Sequence, residues 1–307
     1  MQQTNRFISM LSDYGFKVTF GDESETLFLR KALEALIESK VPIKEVKFLR
    51  NEFEGLTEDS RGGLYDLICE DENGNSFIVE MQLGYYKNYI HRSKFYAFQR
   101  FNTLVEKGKY KFEDLTKIYC IGFLANNIFP KSELYYHFGT LKNQKGENID
   151  DQITHIIIEI SKFEKKESEI LNNLDKLIFV MKNLENIQDS NQLPPFLSED
   201  WIDQAIKKLD RSKMTPDQRM HFEMSLAKQA SIMEMLKEEK LKDIEIAKKE
   251  GRQEGRQEGR QEGRQEGRQE GRQEGIKEVA RKLKESGLDP QIVSESTGLS
   301  IEEIEKL

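Results

Sequence analysis

Short apolar runs at about 45–53, 64–70 and 76–82 read as strands, and Asn73-Gly74 between the last two favours a tight antiparallel turn. Ahead of them, 13–39 reads as a loop and then a helix, with Leu27, Leu29, Leu33, Leu36 and Ile37 on one apolar side. Val41-Pro42 ends that helix, because a residue before proline avoids helical backbone. A second helix is predicted over about 88–107, stopped by Gly108. The apolar runs 118–125 and 153–160, with a shorter one at 134–138, look like buried strands. This order predicts a mixed α/β domain ending near residue 162. Helical patterns follow at about 166–186, 198–209 and 216–250, interrupted at Pro194-Pro195.

From Gly251 the tetrapeptide Gly-Arg-Gln-Glu repeats six times, ending at Glu274. Like charges meet at i,i+4 and no opposite pair falls at i,i+3 or i,i+4, while each glycine costs roughly 1 kcal/mol relative to alanine in a helix. The tract is therefore read as a spacer over 251–275, flexible or helical only when paired. The tail at 276–307 folds up again in pattern. Gly287 and Gly298 stop helices, Asp289-Pro290 starts one, and Ser300 with Glu303 forms a capping box. Self-association is the expected use of so small a module, making the chain a homo-oligomer.

Composition excludes some classes. No apolar run is long enough to span a bilayer, and the N-terminus lacks the order of a signal peptide, so the expectation is a cytoplasmic protein away from membranes. Cys69 and Cys120 sit inside apolar runs with no metal-binding spacing and read as small buried hydrophobes. The net charge of −8 is unfavourable for nucleic acid, yet 87–117 carries eight basic residues against three acidic ones. That basic segment directly follows the strand with the most chemistry.

That strand ends Ile78-Val79-Glu80-Met81-Gln82, so Glu80 and Gln82 share one face. If the loop is Glu72-Asn73-Gly74 with Gly74 left-handed, Asp66 falls opposite Glu80. A two-residue turn would instead set Asp66 against Met81, on the wrong face. In the first register two carboxylates and an amide form a site for a hard cation such as Mg²⁺. The alternative is a solvated hairpin face with stray polar residues.

With these residues in view the chain resembles the Rpn family of recombination-promoting, transposase-like nucleases within the PD-(D/E)XK superfamily. The resemblance covers roughly 10–130 and the closing 297–304 segment. It rests on Asp13-Tyr14-Gly15-Phe16-Lys17 with Phe20-Gly21, on Asp66, Asn73-Gly74 and Ile78-Val79-Glu80-Met81-Gln82, on Arg92 with Tyr96, and on Gly108-Lys109-Tyr110. It implies a restriction-endonuclease-like α/β core with a mixed sheet over 1–162, then a helical region over 163–250, the repeat and the small helical module. It further implies Asp66 and Glu80 as metal-binding carboxylates for Mg²⁺ or another divalent cation, with Glu25 on the first helix as a further metal-proximal acid. Gln82 stands where the superfamily usually has lysine, and glutamine supplies neither a positive charge nor a general base. Lys94 or Arg92 is expected to supply the cation. Lys87, Arg92 and Arg100 are expected to bind DNA, and Tyr85, Tyr86 and Tyr89 to be able to reach it.

The function this implies is Mg²⁺-dependent hydrolysis of DNA phosphodiesters in support of recombination. A non-catalytic DNA- or partner-binding protein on a nuclease scaffold is the alternative, favoured by Gln82 and the acidic net charge. A structural protein defined by its repeat and tail is the third reading, opposed by the intact 64–82 constellation.

Overall fold

Strands β4 (Leu67–Asp71) and β5 (Ser76–Gln82) form the antiparallel hairpin that organises the sheet. Asp71 closes a three-residue loop: its N–H donates to the Asn75 carbonyl at 3.1 Å, and its Oδ1 accepts from the Asn73 and Asn75 N–H groups at 2.9 Å. Gly74 holds φ 77° there, the left-handed conformation that favours glycine. The structure, a computed structural model, describes residues 5–53, 63–83, 88–105, 111 and 115–307.

The hairpin lies within a six-stranded mixed sheet ordered β1-β4-β5-β6-β8-β7, with β1 at Val46–Phe48, β6 at Ile118–Leu124, β7 at Tyr136–Lys142 and β8 at Asn148–Glu159. β5, β6 and β8 run parallel, and the remaining neighbours are antiparallel. A small ribbon pairs β2 (Glu52–Phe53) with β3 (Gly63–Leu64). Helix α3 (Tyr89–Leu104) connects β5 to β6.

Alternation along the central strands separates two cores. Leu67, Cys69, Phe77, Val79, Ile121, Phe123, Ile156 and Ile158 point to one side, where they meet α1 (Asp13–Phe20), α2 (Leu27–Leu36), α4 (Asn173–Asn183) and α5 (Asp200–Leu209). Ile68, Ile78, Ile118 and Cys120 point to the other, against Tyr96 and Ala97 of α3. Each large side chain fully buried in this way contributes about 1.5–3 kcal/mol. Both thiols are free and enclosed, and burial pushes each up to about 12.

Three features differ from the sequence expectations. Residues 13–20 form a helix rather than a loop, because Ser12 caps it by accepting from the Gly15 N–H at 3.0 Å. Gly15 is fixed there by space, since a Cβ would stand 2.1 Å from the Ser9 carbonyl oxygen. The expected break at 162 does not separate two cores, because Leu177, Ile178, Trp201 and Ile202 of α4 and α5 pack in the same cluster as Val79 and Phe123. The repeat is helical: α6 runs over Pro216–Glu285 and takes in every Gly-Arg-Gln-Glu unit. Helix on both sides removes the nucleation cost that an isolated tract would meet.

The chain divides into two units, Met1–Glu234 and Met235–Leu307. The second ends in α7 (Pro290–Thr297) and α8 (Ile301–Glu305). These pack with the end of α6 through Ala280, Val293 and Ile304, with Leu283, Leu299 and Leu307 around them. Its turns have the expected chemistry: Gly287 and Gly298 at φ 82° and 75°, Asp289 capping α7, and Ser300 with Glu303 boxing α8. Among the described residues, no helix is long and apolar enough to cross a membrane.

Candidate active site

Leu67 pairs with Val79, so one step back along the hairpin Asp66 comes opposite Glu80. Side chains take over the ladder at this point. The Asp66 N–H donates to Glu80 Oε1 at 3.0 Å, and Asp66 Oδ2 accepts from the Met81 N–H at 2.9 Å. The Gln82 amide lies on the same face, its Nε2 donating to Glu80 Oε2 at 3.4 Å. The three-residue turn therefore produces the register in which both carboxylates and the amide meet.

Helix α3 closes the site from the side. Arg92 donates to Glu80 Oε2 at 2.6 Å, and its guanidinium lies 5.5 Å from the centre of the Tyr96 ring. Beneath Glu80, Gly122 of β6 is its register partner, and a Cβ there would stand 2.0 Å from the Tyr89 hydroxyl. Glycine thus makes room for a buried tyrosine directly beside the acid.

Glu80 is 3 % exposed, whereas Asp66 stands at the open edge of the hairpin. Burial, reinforced by the nearby Asp66 charge, pushes the Glu80 carboxyl up to about 7 despite Arg92. Desolvation also raises Asp66, offset by the Met81 N–H and by Arg92. Two further charges act on Asp66: Asp13 raises it and Lys17 lowers it. Both belong to α1, where Lys17 pairs with Asp13 at 2.9 Å and Ser225 of α6 donates to Asp13 at 3.3 Å. In sequence this pair belongs to the family motif but has no place at the site, because the start of 13–39 reads as a loop. The Ser12 cap and the i,i+4 Asp13–Lys17 spacing were the available signals.

The remaining expected site residues are dispersed. Glu25 is exposed in the segment between α1 and α2, not on a helix, and accepts only a 3.4 Å bond from the Leu27 N–H among the described residues. Lys94 is exposed beside His155, whose pKa burial and the Lys94 charge both lower. Two residues further along α3 is about 200° around its axis from Arg92, so Lys94 leaves the face that meets Glu80. Arg100 is 12 % exposed and tied up with Glu70, with Ser76 Oγ at 3.0 Å and with Thr103 at 2.8 Å. It clamps the base of the hairpin instead of offering charge to solvent. Tyr89 is buried and faces the protein interior. Lys87, Tyr85 and Tyr86 lie outside the described residues.

Against known protein families, residues 10–239 match the PD-(D/E)XK nuclease family transposases. The chain belongs to that family. The match confirms the resemblance seen over 10–130 and carries it through α4 and α5, the helices that complete the main core. No curated protein and no solved structure matches the chain.

The donor set suits a divalent cation. Two carboxylates pressed together and partly stripped of water repel each other, and a cation between them would relieve both costs. Among the described residues no three His, Cys, Asp or Glu side chains converge on one point. Asp66 and Glu80 would be the protein's share of such a site, completed by water, which is a normal complement for Mg²⁺.

Proposed function

We propose that this chain is a DNA endonuclease dependent on Mg²⁺ or another divalent cation, acting in the cytoplasm to promote recombination. The observation that carries the reading is the apposition of Asp66 and Glu80 at the edge of β5, with Gln82 and Arg92 against the same carboxylate. Asp66 and Glu80 would hold the cation, which when bound supplies Lewis-acid activation of the phosphodiester and of an attacking water. Arg92 takes the role left vacant by the missing strand lysine. Its guanidinium, now on Glu80, would turn to the phosphate oxygens as negative charge develops. Gln82 holds Glu80 in orientation and does not move a proton. The Tyr89 ring packs beside Glu80 and keeps water from its inner side.

A second reading has one observation in its favour. Arg92 already donates to Glu80, so the site is partly satisfied without a metal, as on a scaffold that binds DNA without cutting it. Supercoiled plasmid incubated with the full chain in Mg²⁺ or in chelator separates the two. Nicking that needs Mg²⁺ and disappears in Asp66→Ala supports the nuclease. Plasmid binding with no metal-dependent nicking supports the scaffold. Self-association through the 276–307 module, where Val279, Leu288, Ile292 and Ile301 remain exposed, is proposed alongside either reading.

A further inference from the structure

A cleft of about 710 Å³ opens between α3 and the β2–β3 ribbon, within the size range of small-ligand sites. Phe53 and Leu64 form its apolar wall, and Gln99 and Asn102 of α3 face it, with Arg50 and Glu52 paired at 3.5 Å on the rim. Phe53 is held rigidly: its ring centre lies 4.9 Å from Tyr65, 5.6 Å from Tyr96 and 5.8 Å from Phe95. Gly63 is required opposite it, since a Cβ there would come 2.4 Å from the Phe53 ring. Gln99 is 8 % exposed, yet among the described residues its amide makes no side-chain hydrogen bond. The amide atoms are not themselves sealed, so the Gln99 head group opens to the solvent of the cleft.

The cleft connects to the acidic site through touching groups. Arg92 on Glu80 lies over Tyr96, Tyr96 meets Phe53 edge to face, and Phe53 lines the cleft. Arg92 and Gln99 are seven residues apart on one face of α3, about 10 Å along the helix. At about 3.4 Å of rise per nucleotide, that is about three nucleotides along a strand. A flat aromatic wall, two amides able to both donate and accept, and an arginine at the mouth match one ligand class. A base would stack there with its edge toward the amides, and its phosphate would meet the Arg50 guanidinium in competition with Glu52.

We propose that this cleft receives a nucleobase of the bound DNA, stacked on Phe53 and read at its edge by Gln99 and Asn102, about three nucleotides from the phosphate at Asp66 and Glu80. The proposal rests on the nuclease reading for the placement of that phosphate. It makes cleavage sensitive to base identity at one position offset from the cut.

Two measurements on the full chain test it. Sequencing the ends made by wild-type protein on plasmid DNA is expected to show a base bias about three nucleotides from the cut. Gln99→Leu and the solvent-facing Asn102→Ala are expected to flatten that bias, and the second guards against misfolding of the first. Separately, DNA carrying 5-iodouracil at successive positions is irradiated with Asp66→Ala protein, and the crosslinked residue is found by mass spectrometry. Crosslinking to Phe53 from one position supports the cleft even if wild type nicks nothing, in which case only the nuclease reading falls. Nicking with no positional bias, together with crosslinks that avoid Phe53, overturns the cleft and leaves the nuclease standing. DNA that neither crosslinks at Phe53 nor is cut removes both.

Discussion

The guanidinium of Arg92 sits 2.6 Å from Oε2 of Glu80, so among the described residues the positive charge in contact with this carboxylate comes from the helix after the strand. Under the proposed nuclease reading, Arg92 would bring from α3 the charge that a strand lysine would supply in place of Gln82. Arg92→Ala is expected to lower Mg²⁺-dependent nicking by about 10²–10³, the usual cost of losing one donor to developing charge. Lys94→Ala, on the far side of α3, is expected to nick within a few-fold of wild type. Equal losses in the two variants would remove the distinction between them.

The acids can be sorted in the same assay. Asp13→Ala is expected to slow nicking, because its charge acts on Asp66 and its partner Lys17 is repositioned without it. Glu25→Ala is expected to behave as wild type. A severe defect in Glu25→Ala beside an active Asp13→Ala would reverse this assignment.

The sequence showed the hairpin site more clearly than its surroundings, for a physical reason. Period-two alternation and the Asn73-Gly74 turn are local, so they determine which face Glu80 and Gln82 share and how Asp66 meets them. The rotation of α3 about its axis depends on how Tyr96 and Ala97 seat on Ile68 and Ile78, which no local pattern encodes. Arg92 and Lys94 were therefore indistinguishable in sequence. Arg100 looked like one more charge on a basic segment, although Glu70 and Ser76, some 24 to 30 residues away, consume it. The helices α4 and α5 were legible as amphipathic segments, but nothing local said that they would cover the same sheet.

Metal-free stability is expected to depend on Glu80 in a predictable direction. Its carboxyl titrates near 4.5 when unfolded and at about 7 in the fold, so the folded state prefers it protonated. That preference stabilises the protein fully below about pH 4.5 and is lost as pH rises through 7. The change is on the order of 3 kcal/mol at most. Thermal melts in chelator from pH 5 to 8 are expected to show Glu80→Gln gaining on wild type as pH rises. Parallel curves for the two proteins would mean that Glu80 is not held up by its surroundings.

Arg100 and Glu70 are expected to matter for stability. Losing a charge-assisted hydrogen bond from a partly buried pair commonly costs about 1.5–3 kcal/mol, and Arg100→Ala also frees Ser76 Oγ. Urea melts should show a lower midpoint for Arg100→Ala, and the fraction that remains folded should still bind DNA. A variant with wild-type stability but lost DNA affinity would return Arg100 to the DNA-binding surface.

The tail yields an assembly test. Deleting 276–307 is expected to lower the oligomeric state seen by light scattering, because Val279, Leu288, Ile292 and Ile301 leave with it. Removing two Gly-Arg-Gln-Glu units is expected to leave nicking nearly unchanged. A full-length chain that is monomeric at tens of micromolar would end the assembly role.

Cys69 and Cys120 look in opposite directions from the central sheet, one into the core under α1, α2, α4 and α5, the other under α3. Both are sealed from solvent and, among the described residues, neither is joined to the other. The chain thus carries its own pair of chemical clocks. The rate at which each thiol yields to an alkylating reagent reports how often its own side of the sheet is uncovered, and a helix α3 that lifts to admit DNA would set Cys120 running ahead of Cys69.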